Sequence, residues 1–302
     1  MKSGILVIHK PKGMTSREVV NQVGKVFHTK KVGHMGTLDP LAEGVLVLGI
    51  NQGTKVIELL SSSDKEYVAE AMMGMDSDTL DITGKLEKFP LEKTYQEEEI
   101  KQVLKSFLGI YQQEVPLYSA IHVDGKRLYE YARKDETVIL PTKEVTIQEI
   151  KLIHFSLQDT LHPTFSFQVS VSKGTYIRSL IRDIGKKLKC PSIMTNLLRT
   201  RQGKFLLEES KSLETLTENT PLIKIEDALG RLEEYDTVVV SKELESKIQN
   251  GAILPRNFSK DYAVFLNQEK ELLAIYQRYT KDDTLMKPWK VFDRRYENEK
   301  IK

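Results

Sequence analysis

The chain lacks cysteine pairs and long apolar runs, and each absence excludes a class of protein. Cys190 is the one cysteine among 302 residues, so no disulfide forms within the chain. No stretch reaches the roughly 18 uncharged apolar residues that a transmembrane helix needs. The opening MKSGILVIHKPKG has a short apolar stretch that His9 and Lys10 interrupt, so we expect no signal peptide. We therefore expect a cytoplasmic protein without a membrane function.

Common cofactor and metal motifs are missing as well. The sequence has no P-loop, no glycine-rich dinucleotide fingerprint, no histidine pair at metalloprotease spacing and no zinc-deaminase signature. We therefore expect neither a cofactor nor a metal ion. An excess of one charge is missing too, since 45 Lys and Arg balance 43 Asp and Glu, and this excludes a disordered acidic or basic tail protein.

The hydrophobic pattern alternates repeatedly between the period of a strand and that of a helix. ILVIHKP is typical of a buried strand, and Thr15 with Glu18 predicts a capping box for the helix SREVVNQVGKVF. Further strands are predicted at GVLVLGI, KEYVAEAMMG, EVTIQEIKLIHFSL and TFSFQVSVSKGTY, and we expect the last two to pair antiparallel. With no regular strand–helix–strand rhythm, the pattern predicts an α+β fold with a mixed, largely antiparallel sheet and flanking helices.

Three more helices are predicted between and after these strands. The segment 94–108 is amphipathic and is expected to end at Gly109. In YSAIHVDGKRLYEYAR an Asp-Gly turn separates a strand from a second helix. The third helix is YIRSLIRDIGKKL.

The C-terminal part differs in composition and pattern. Because 302 residues exceed the usual size of one core, we expect a large domain and a smaller one. The segment 208–234 is comparatively acidic, and PLIKIEDALGRLEEY is predicted to be a linker helix. Beyond it, DTVVV, DYAVFLN, LLAIYQR and KPWKVF predict short strands, with SKELESKIQNG as a helix. The predicted domains are therefore 1–230 and a small, mostly β domain over 235–302.

Two basic clusters flank a glycine-rich turn. The first cluster comprises Lys10, Lys12, Arg17, Lys25, Lys30 and Lys31, and the second comprises Lys173, Arg178, Arg182, Lys186, Lys187, Lys189, Arg199, Arg201 and Lys204. With His34 and Tyr176 able to stack on bases, this composition is typical of a nucleic-acid groove. A run of charges is equally typical of an ordinary solvated face.

In the turn GHMGTLDPLAEGVL, the position of Asp39 needs an explanation. Asp39 precedes a proline, which is a common way to start a turn, but Gly36 favours close approach of a ligand backbone. Arg178 is either a surface residue or the partner of that carboxylate. Tyr67 is either a core aromatic or a stacking platform, and His34 is either a turn residue or a base contact. The residues alone indicate an RNA-binding enzyme or module and name no reaction.

Five blocks of the sequence, in order, resemble one family. They are GILVIHKPKGMTS, KKVGHMGTLDPLAEGVLVLGI, KEYVAEAMMGMDSDTLDITG, PLYSAIHVDGKRLYEYAR and VSKGTYIRSLIRDIG. They resemble the bacterial tRNA pseudouridine-55 synthases of the TruB family, and the C-terminal part resembles that family's PUA-like RNA-binding domain. The resemblance implies the pseudouridine synthase fold and a reaction on the uridine at position 55 in the T-loop of tRNA. That base leaves the stack, its N1–C1′ bond is broken, and C5 is joined to C1′ without a cofactor.

The resemblance also implies roles for individual residues. Asp39 is the essential carboxylate, Arg178 supplies its counter-charge, and Tyr67 packs on the uracil and takes part in proton transfer at C5. Whether Asp39 attacks C1′, adds to the uracil ring or removes a sugar proton stays open. The other substrate RNA-binding residues are His34, which fills the space that the base vacates, Tyr176, Leu197, for which Leu198 is an alternative, and Lys10, at a strand end beneath Tyr67.

The resemblance further implies a monomer that needs no guide RNA, since the C-terminal part is short and has no lysine-rich tail. Two other functions fit the same residues. One is a non-catalytic RNA-binding or RNA-folding protein, which the basic clusters favour. The other is a nucleoside glycosylase or hydrolase, because a carboxylate near C1′ also serves to release a base.

Overall fold

Two large β-sheets, two small two-stranded sheets and flanking helices make up the computed structural model, which describes residues 2–61 and 64–292. The strands are β1 (Gly4–Lys10), β2 (Val32–His34), β3 (Glu43–Ile50), β4 (Lys65–Met73), β5 (Met75–Ser77), β6 (Leu86–Lys88), β7 (Gly109–Glu114), β8 (His122–Val123), β9 (Lys126–Arg127), β10 (Thr142–Ser156), β11 (Thr164–Val171), β12 (Ser192–Gln202), β13 (Phe205–Leu206), β14 (Lys211–Ser212), β15 (Asp236–Val239), β16 (Leu254–Pro255), β17 (Tyr262–Leu266), β18 (Leu272–Arg278) and β19 (Leu285–Val291). The α-helices are α1 (Ser16–Val26), α2 (Ile57–Leu60), α3 (Glu97–Lys105), α4 (Leu128–Lys134), α5 (Ile177–Leu188), α6 (Ile225–Gly230) and α7 (Lys242–Gln249). Short 3-10 turns cover Asn51–Val56, Leu207–Glu209 and Leu213–Thr215.

The larger sheet is mixed and mostly antiparallel. Its order is β14-β1-β3-β12-β4-β11-β10-β7, with β2 added beside β3 and β13 beside β12. The β1–β14 and β12–β3 pairs are parallel, whereas the other pairs of this sheet are antiparallel. The α+β prediction is therefore confirmed, as is the antiparallel pairing of β10 with β11.

The capping box predicted for α1 is present. The Thr15 hydroxyl accepts from the backbone N–H of Glu18 at 3.2 Å, and the Glu18 carboxylate accepts from the backbone N–H of Thr15 at 2.7 Å. Val19, Val20 and Val23 on one face of α1 are buried against β1 and β3. Burying each of them contributes about 1.5–3 kcal/mol, which holds this helix against the sheet beside the Asp39 turn.

Two helices cover the face of the sheet on which the alternating residues of β4 lie. Tyr67, Ala69 and Ala71 are all buried, as their spacing predicted. Helix α5 buries a continuous apolar stripe that includes Leu180, Ile181 and Ile184, and together with α3 it completes this core. The first turn of α5 is thereby placed at the middle of the sheet.

The predicted helix over 94–108 is shorter in the structure. It begins after Gln96, whose backbone is extended, and ends at Lys105. Gly109, predicted to end that helix, instead begins β7 with φ of 94°, a left-handed value that favours glycine. Strand β7 was not predicted, and it forms one edge of the large sheet beside β10.

The Asp-Gly turn was predicted correctly. Asp124 and Gly125 have φ of 50° and 81°, as the tight turn of a two-residue hairpin requires, and they join β8 to β9. Helix α4 follows directly.

The strands predicted near the C-terminus form a second, five-stranded sheet. Its order is β15-β17-β18-β19-β16, with α7 packed against it. Helix α6 is not a free linker, because Ile225 and Leu229 are buried in a cluster that also contains Val47 of β3 and Ile275 of β18. The end of the predicted second domain, residues 293–302, lies outside the described residues, and the division at 230–235 stays a prediction.

Candidate active site

A cavity of about 230 Å³ lies over the two central strands of the large sheet. It is smaller than the roughly 300–1,000 Å³ of pockets for drug-sized ligands, and so suits one small ring system. Its walls come from residues 35–39, the start of β4, residues 173–178 and the middle of β12. Five of the predicted site residues line it, namely Asp39, Tyr67, Tyr176, Arg178 and Leu197.

The backbone on both sides of Asp39 is fixed by hydrogen bonds. The Ser16 hydroxyl, at the start of α1, accepts from Leu38 N–H at 2.8 Å and donates to Leu38 C=O at 3.1 Å. Ala42 N–H donates to Asp39 C=O at 3.1 Å, so the Asp-Pro segment does form a turn. The side chain is 41% exposed, and it reaches into the cavity from this turn. Asp39 is thus both a turn residue and a carboxylate available to a ligand.

Arg178 makes the ion pair that its predicted role requires. Its Nε lies 2.9 Å from Oδ2 of Asp39, while its own side chain is only 6% exposed. The terminal nitrogens donate to the backbone carbonyls of Thr79 at 2.9 Å and Tyr118 at 3.1 Å. The guanidinium is therefore held in one orientation by groups from three segments, and it presents a fixed positive charge to Asp39.

Tyr176 is positioned by a buried glutamine of β7. The Gln113 side chain accepts from Tyr176 N–H at 2.8 Å and donates to Tyr176 C=O at 3.1 Å. Gln113 is 1% exposed, so this clamp is shielded from water. Burial raises the pKa of the Tyr176 hydroxyl, which keeps the ring uncharged at the cavity wall.

Tyr67 and Leu197 lie on neighbouring strands at the floor of the cavity. Tyr67 of β4 is 6% exposed and Leu197 of β12 is 5% exposed, and Leu197 is paired across the strands with Ala69. Leu198 is only half-buried and does not line the cavity. Of the two alternatives, Leu197 is therefore the one that lines the cavity.

Lys10 and His34 were also predicted as site residues, but neither lines this cavity. Lys10 is completely buried, and its ammonium donates to the carbonyls of Pro11 at 2.9 Å and Met14 at 2.6 Å and lies 3.5 Å from that of Pro40. Burial lowers the pKa of Lys10 to about 8. This placement favours support of the Asp39 turn over direct contact with RNA.

His34 ends strand β2 behind the turn. Burial, reinforced by the positive charge of Arg199, lowers the pKa of its imidazole. Within residues 2–61 and 64–292 its buried Nδ1 has no hydrogen-bond partner. The ring is therefore held as a neutral group beside the cavity-lining segment that starts at Met35.

Arg199 is a site residue that the sequence did not single out from its basic cluster. It is 1% exposed and lines the cavity from β12. Its Nε donates to Val45 C=O at 2.7 Å and its Nη1 to Thr37 C=O at 3.2 Å, so it links the two ends of the loop that carries Asp39. Gly44 has φ of 101° and lies very close to the backbone of β12. A Cβ at this position would be 2.9 Å from the backbone nitrogen of Arg199.

Two more cavity residues were missed, Lys65 at the start of β4 and Lys173 after β11. Lys65 is half-buried, whereas Lys173 is exposed. The second basic cluster is therefore not one surface. Arg182 is paired with Glu114 and Asp183, Arg199 and Arg178 are internal, and Lys173 borders the cavity.

Among the described residues, no group of three His, Cys, Asp or Glu residues is placed to hold a metal ion. In the same ranges no helix has the length and apolar character needed to cross a bilayer.

The geometry suits chemistry on one flat ring. A carboxylate with a fixed cationic neighbour is a nucleophile or a base, and buried aromatic and aliphatic side chains contact a ring while they exclude water. Comparison with solved structures identifies the fold. The fold matches a chain of an H/ACA ribonucleoprotein bound to a substrate RNA that contains 2′-deoxyuridine, with a TM-score of 0.69, 24% identity and coverage of 97% of this chain and 86% of that one. A chain of a Cbf5-Nop10-Gar1 complex gives a TM-score of 0.67 at 24% identity, covering 96% and 84%.

The fold and the site together define an enzyme whose cavity takes one small ring. Residues 24–177 match the family model of the N-terminal domain of TruB family pseudouridylate synthases. Two similar curated relatives are the tRNA pseudouridine synthases B of Bacillus pumilus, 39% identical over 96% of this chain and 98% of the relative, and of Halalkalibacterium halodurans, 40% identical over 96% and 97%. The chain belongs to the TruB family of pseudouridylate synthases.

Proposed function

We propose that this chain isomerises the uridine at position 55 in the T-loop of tRNA to pseudouridine, with Asp39 as the essential carboxylate. The relatives that match almost the whole chain carry the name tRNA pseudouridine synthase B, which supports tRNA as the substrate. The observation that carries the proposal is the Asp39–Arg178 pair, 2.9 Å apart at a cavity sized for one base.

The reaction rearranges one nucleotide and needs no other reactant. The target base leaves the loop's stack, at a cost of a few kcal/mol, and enters the cavity. The N1–C1′ bond breaks, the uracil turns while it is held, and C5 bonds to C1′; the proton leaves C5 and N1 ends protonated. The walls formed by Tyr67, Tyr176 and Leu197 retain the detached base.

The proposed residue roles agree with the geometry of the cavity. Asp39 acts as the carboxylate that attacks C1′, adds to the ring or removes a sugar proton, and Arg178 supplies its counter-charge. Tyr67 packs on the uracil and takes part in proton transfer at C5. Lys10 and Arg199 act on the Asp39 loop through backbone carbonyls, and His34 occupies the region that the target base leaves free.

The C-terminal sheet is proposed to be a PUA-like RNA-binding domain over 235–302, beside a catalytic domain over 1–230. Val264, Leu272 and Ile275 of this sheet share a buried apolar cluster with residues of α6, β1 and β3. The C-terminal sheet therefore packs beside the larger one. We further propose that the enzyme acts in the cytoplasm as a monomer, on bare tRNA and without a guide RNA.

The test uses an unmodified tRNA transcript, purified protein in catalytic amount and no other RNA or protein. After digestion, nucleosides are separated and the modified position is mapped. One pseudouridine per tRNA at position 55 is expected, with no free uracil. Free uracil instead of product would indicate a glycosylase, and bound tRNA without product would indicate a non-catalytic RNA-binding protein.

A further inference from the structure

A group of four basic side chains surrounds one edge of the active-site cavity. Lys65 and Lys173 line the cavity, and Arg199 lies beneath them as the buried arginine of β12. The ammonium group of Lys143, from β10, lies against Gly174. A Cβ added at Gly174 would overlap with that ammonium group. These cations come from four separate segments, so the fold itself concentrates them.

The electrostatics of Lys65 show that the four charges act on one another. Burial, reinforced by the positive charges of Arg199, Lys173 and Lys143 and opposed by Asp64, lowers the pKa of Lys65 to about 8. Like charges that are brought together in a partly buried place repel one another and destabilise the fold. Perturbed titratable groups in a cleft mark a candidate functional site, and four cations there favour an anionic ligand.

The substrate supplies an anion at the right distance from the chemistry. A nucleotide whose base enters the cavity carries a backbone phosphate on each side of its sugar, within a few ångströms of C1′. Asp39 already has its ion pair with Arg178. The cation group therefore faces a cavity into which the target nucleotide brings its own negative charge.

We propose that Lys65 and Lys173 form a subsite for one of the two phosphates that flank the target uridine. Arg199 and Lys143 support it by their charge. The subsite anchors the backbone while the base turns, so it contributes to binding and positioning rather than to proton transfer. This inference rests on the proposed function, since it takes RNA as the ligand.

The first test measures tRNA binding as a function of salt. All proteins carry Asp39→Asn so that no turnover occurs, and Lys65→Met is compared with Lys65→Arg. Removing one phosphate contact is expected to weaken binding about tenfold and to reduce the salt slope by about 1, while Lys65→Arg keeps both near the starting values. The matched control is Lys151→Met, at an exposed lysine of β10 away from the cavity, which should leave the slope unchanged.

A second test identifies the phosphate. RNA is made with a neutral methylphosphonate at either the 5′ or the 3′ phosphate of the target uridine. On one of these two RNAs, Lys65→Met should no longer weaken binding, because its ligand is already uncharged. If Lys65→Met weakens binding equally on both modified RNAs and on the natural one, or changes the slope no more than Lys151→Met does, the phosphate subsite is wrong.

The pH dependence gives an independent readout. The Lys65 ammonium is charged below its pKa of about 8, so tRNA affinity should fall as the pH rises through 8 in the protein with Lys65 and stay level with Lys65→Arg. The charged groups that face it are Arg199, Lys173, Lys143 and Asp64. An affinity that falls equally in both proteins would contradict the assignment. Because these tests measure binding, they can fail while wild-type protein still forms pseudouridine.

Discussion

At the residue scale, the structure brings together side chains that are far apart in the sequence. Asp39, Tyr67 and Arg178 come from a turn, a strand and a helix, and all three line one cavity. Their residue types and local patterns allowed structural as well as functional interpretations, and the resemblance to a family selected the functional ones. The assignment of Lys10 as an RNA contact did not anticipate its complete burial, because a lysine at a strand end is usually solvated.

Arg199 shows why part of the site was hidden in the sequence. MTNLLRTRQG was not predicted as a strand, and β12 contains register shifts between Met194 and Asn196 and between Arg199 and Arg201. Such bulges interrupt the alternation on which strand prediction depends. Strand prediction also expects apolar residues at the buried positions of a strand, and the fully buried Arg199 does not fit that pattern. Its role became visible only through its bonds to the backbone around Asp39.

Replacing Arg178 by Lys is expected to reduce turnover about 100-fold with little change in tRNA affinity. The planar guanidinium of Arg178 contacts Asp39, Thr79 and Tyr118 at once, and a lysine ammonium cannot make all three contacts. The Asp39 carboxylate therefore loses its fixed partner. Single-turnover rates and filter binding measure the two quantities. Arg182→Lys, one helical turn further along α5 and outside the cavity, is the control. Equal turnover in both variants would contradict the role of Arg178.

At the element scale, strands and helices with a clear hydrophobic period were predicted well. The capping box of α1, the Asp-Gly hairpin and the long β10–β11 pair all follow from local residue chemistry. Strands β7 and β12 were missed, since their partners lie far away in the sequence and their own patterns are weak. Helix α6 was predicted as a linker because local sequence does not show which surfaces its apolar face meets.

The close contact of β3 with β12 predicts a strong effect of Gly44→Ala. The new Cβ would overlap with the Arg199 backbone, and alanine is strained at φ of 101°. The free energy of unfolding should fall by about 2–4 kcal/mol. Urea denaturation measures it, with Gly230→Ala in α6 as the control, since a Cβ at that position meets no atom within 4 Å. If both variants are equally stable, the packing around Arg199 is looser than described.

At the scale of the whole molecule, the two sheets share an apolar cluster. Val47 of β3, Leu229 of α6 and Ile275 of β18 are buried together, although composition indicated separate units. The fold class was predictable because it depends on the number and period of the elements. The shared cluster was not, because it depends on which faces meet in space.

Four tyrosines with raised pKa values predict how the molecule responds to alkali. Burial raises the pKa of Tyr235 and Tyr276 to about 12 and also raises the pKa values of Tyr95 and Tyr111. Since unfolded tyrosine has a pKa of about 10, their stabilising effect is complete below that pH and is lost as the pH rises above it. In the folded protein, tyrosinate absorbance of these four should therefore appear only well above pH 10, and its appearance near pH 10 should coincide with loss of circular dichroism. Ionisation of all 12 tyrosines near pH 10 in a folded protein would contradict this account.

The most direct test of the central claim compares wild type with Asp39→Asn on one tRNA transcript. The substitution removes the ionised group but hardly changes the volume, so tRNA binding should persist while formation of pseudouridine falls about 10³-fold or more. The measurement is nucleoside analysis after digestion, with tRNA affinity determined in parallel. Loss of product at position 55 with retained binding is the predicted result. Near wild-type turnover by Asp39→Asn would contradict the assignment of the catalytic carboxylate.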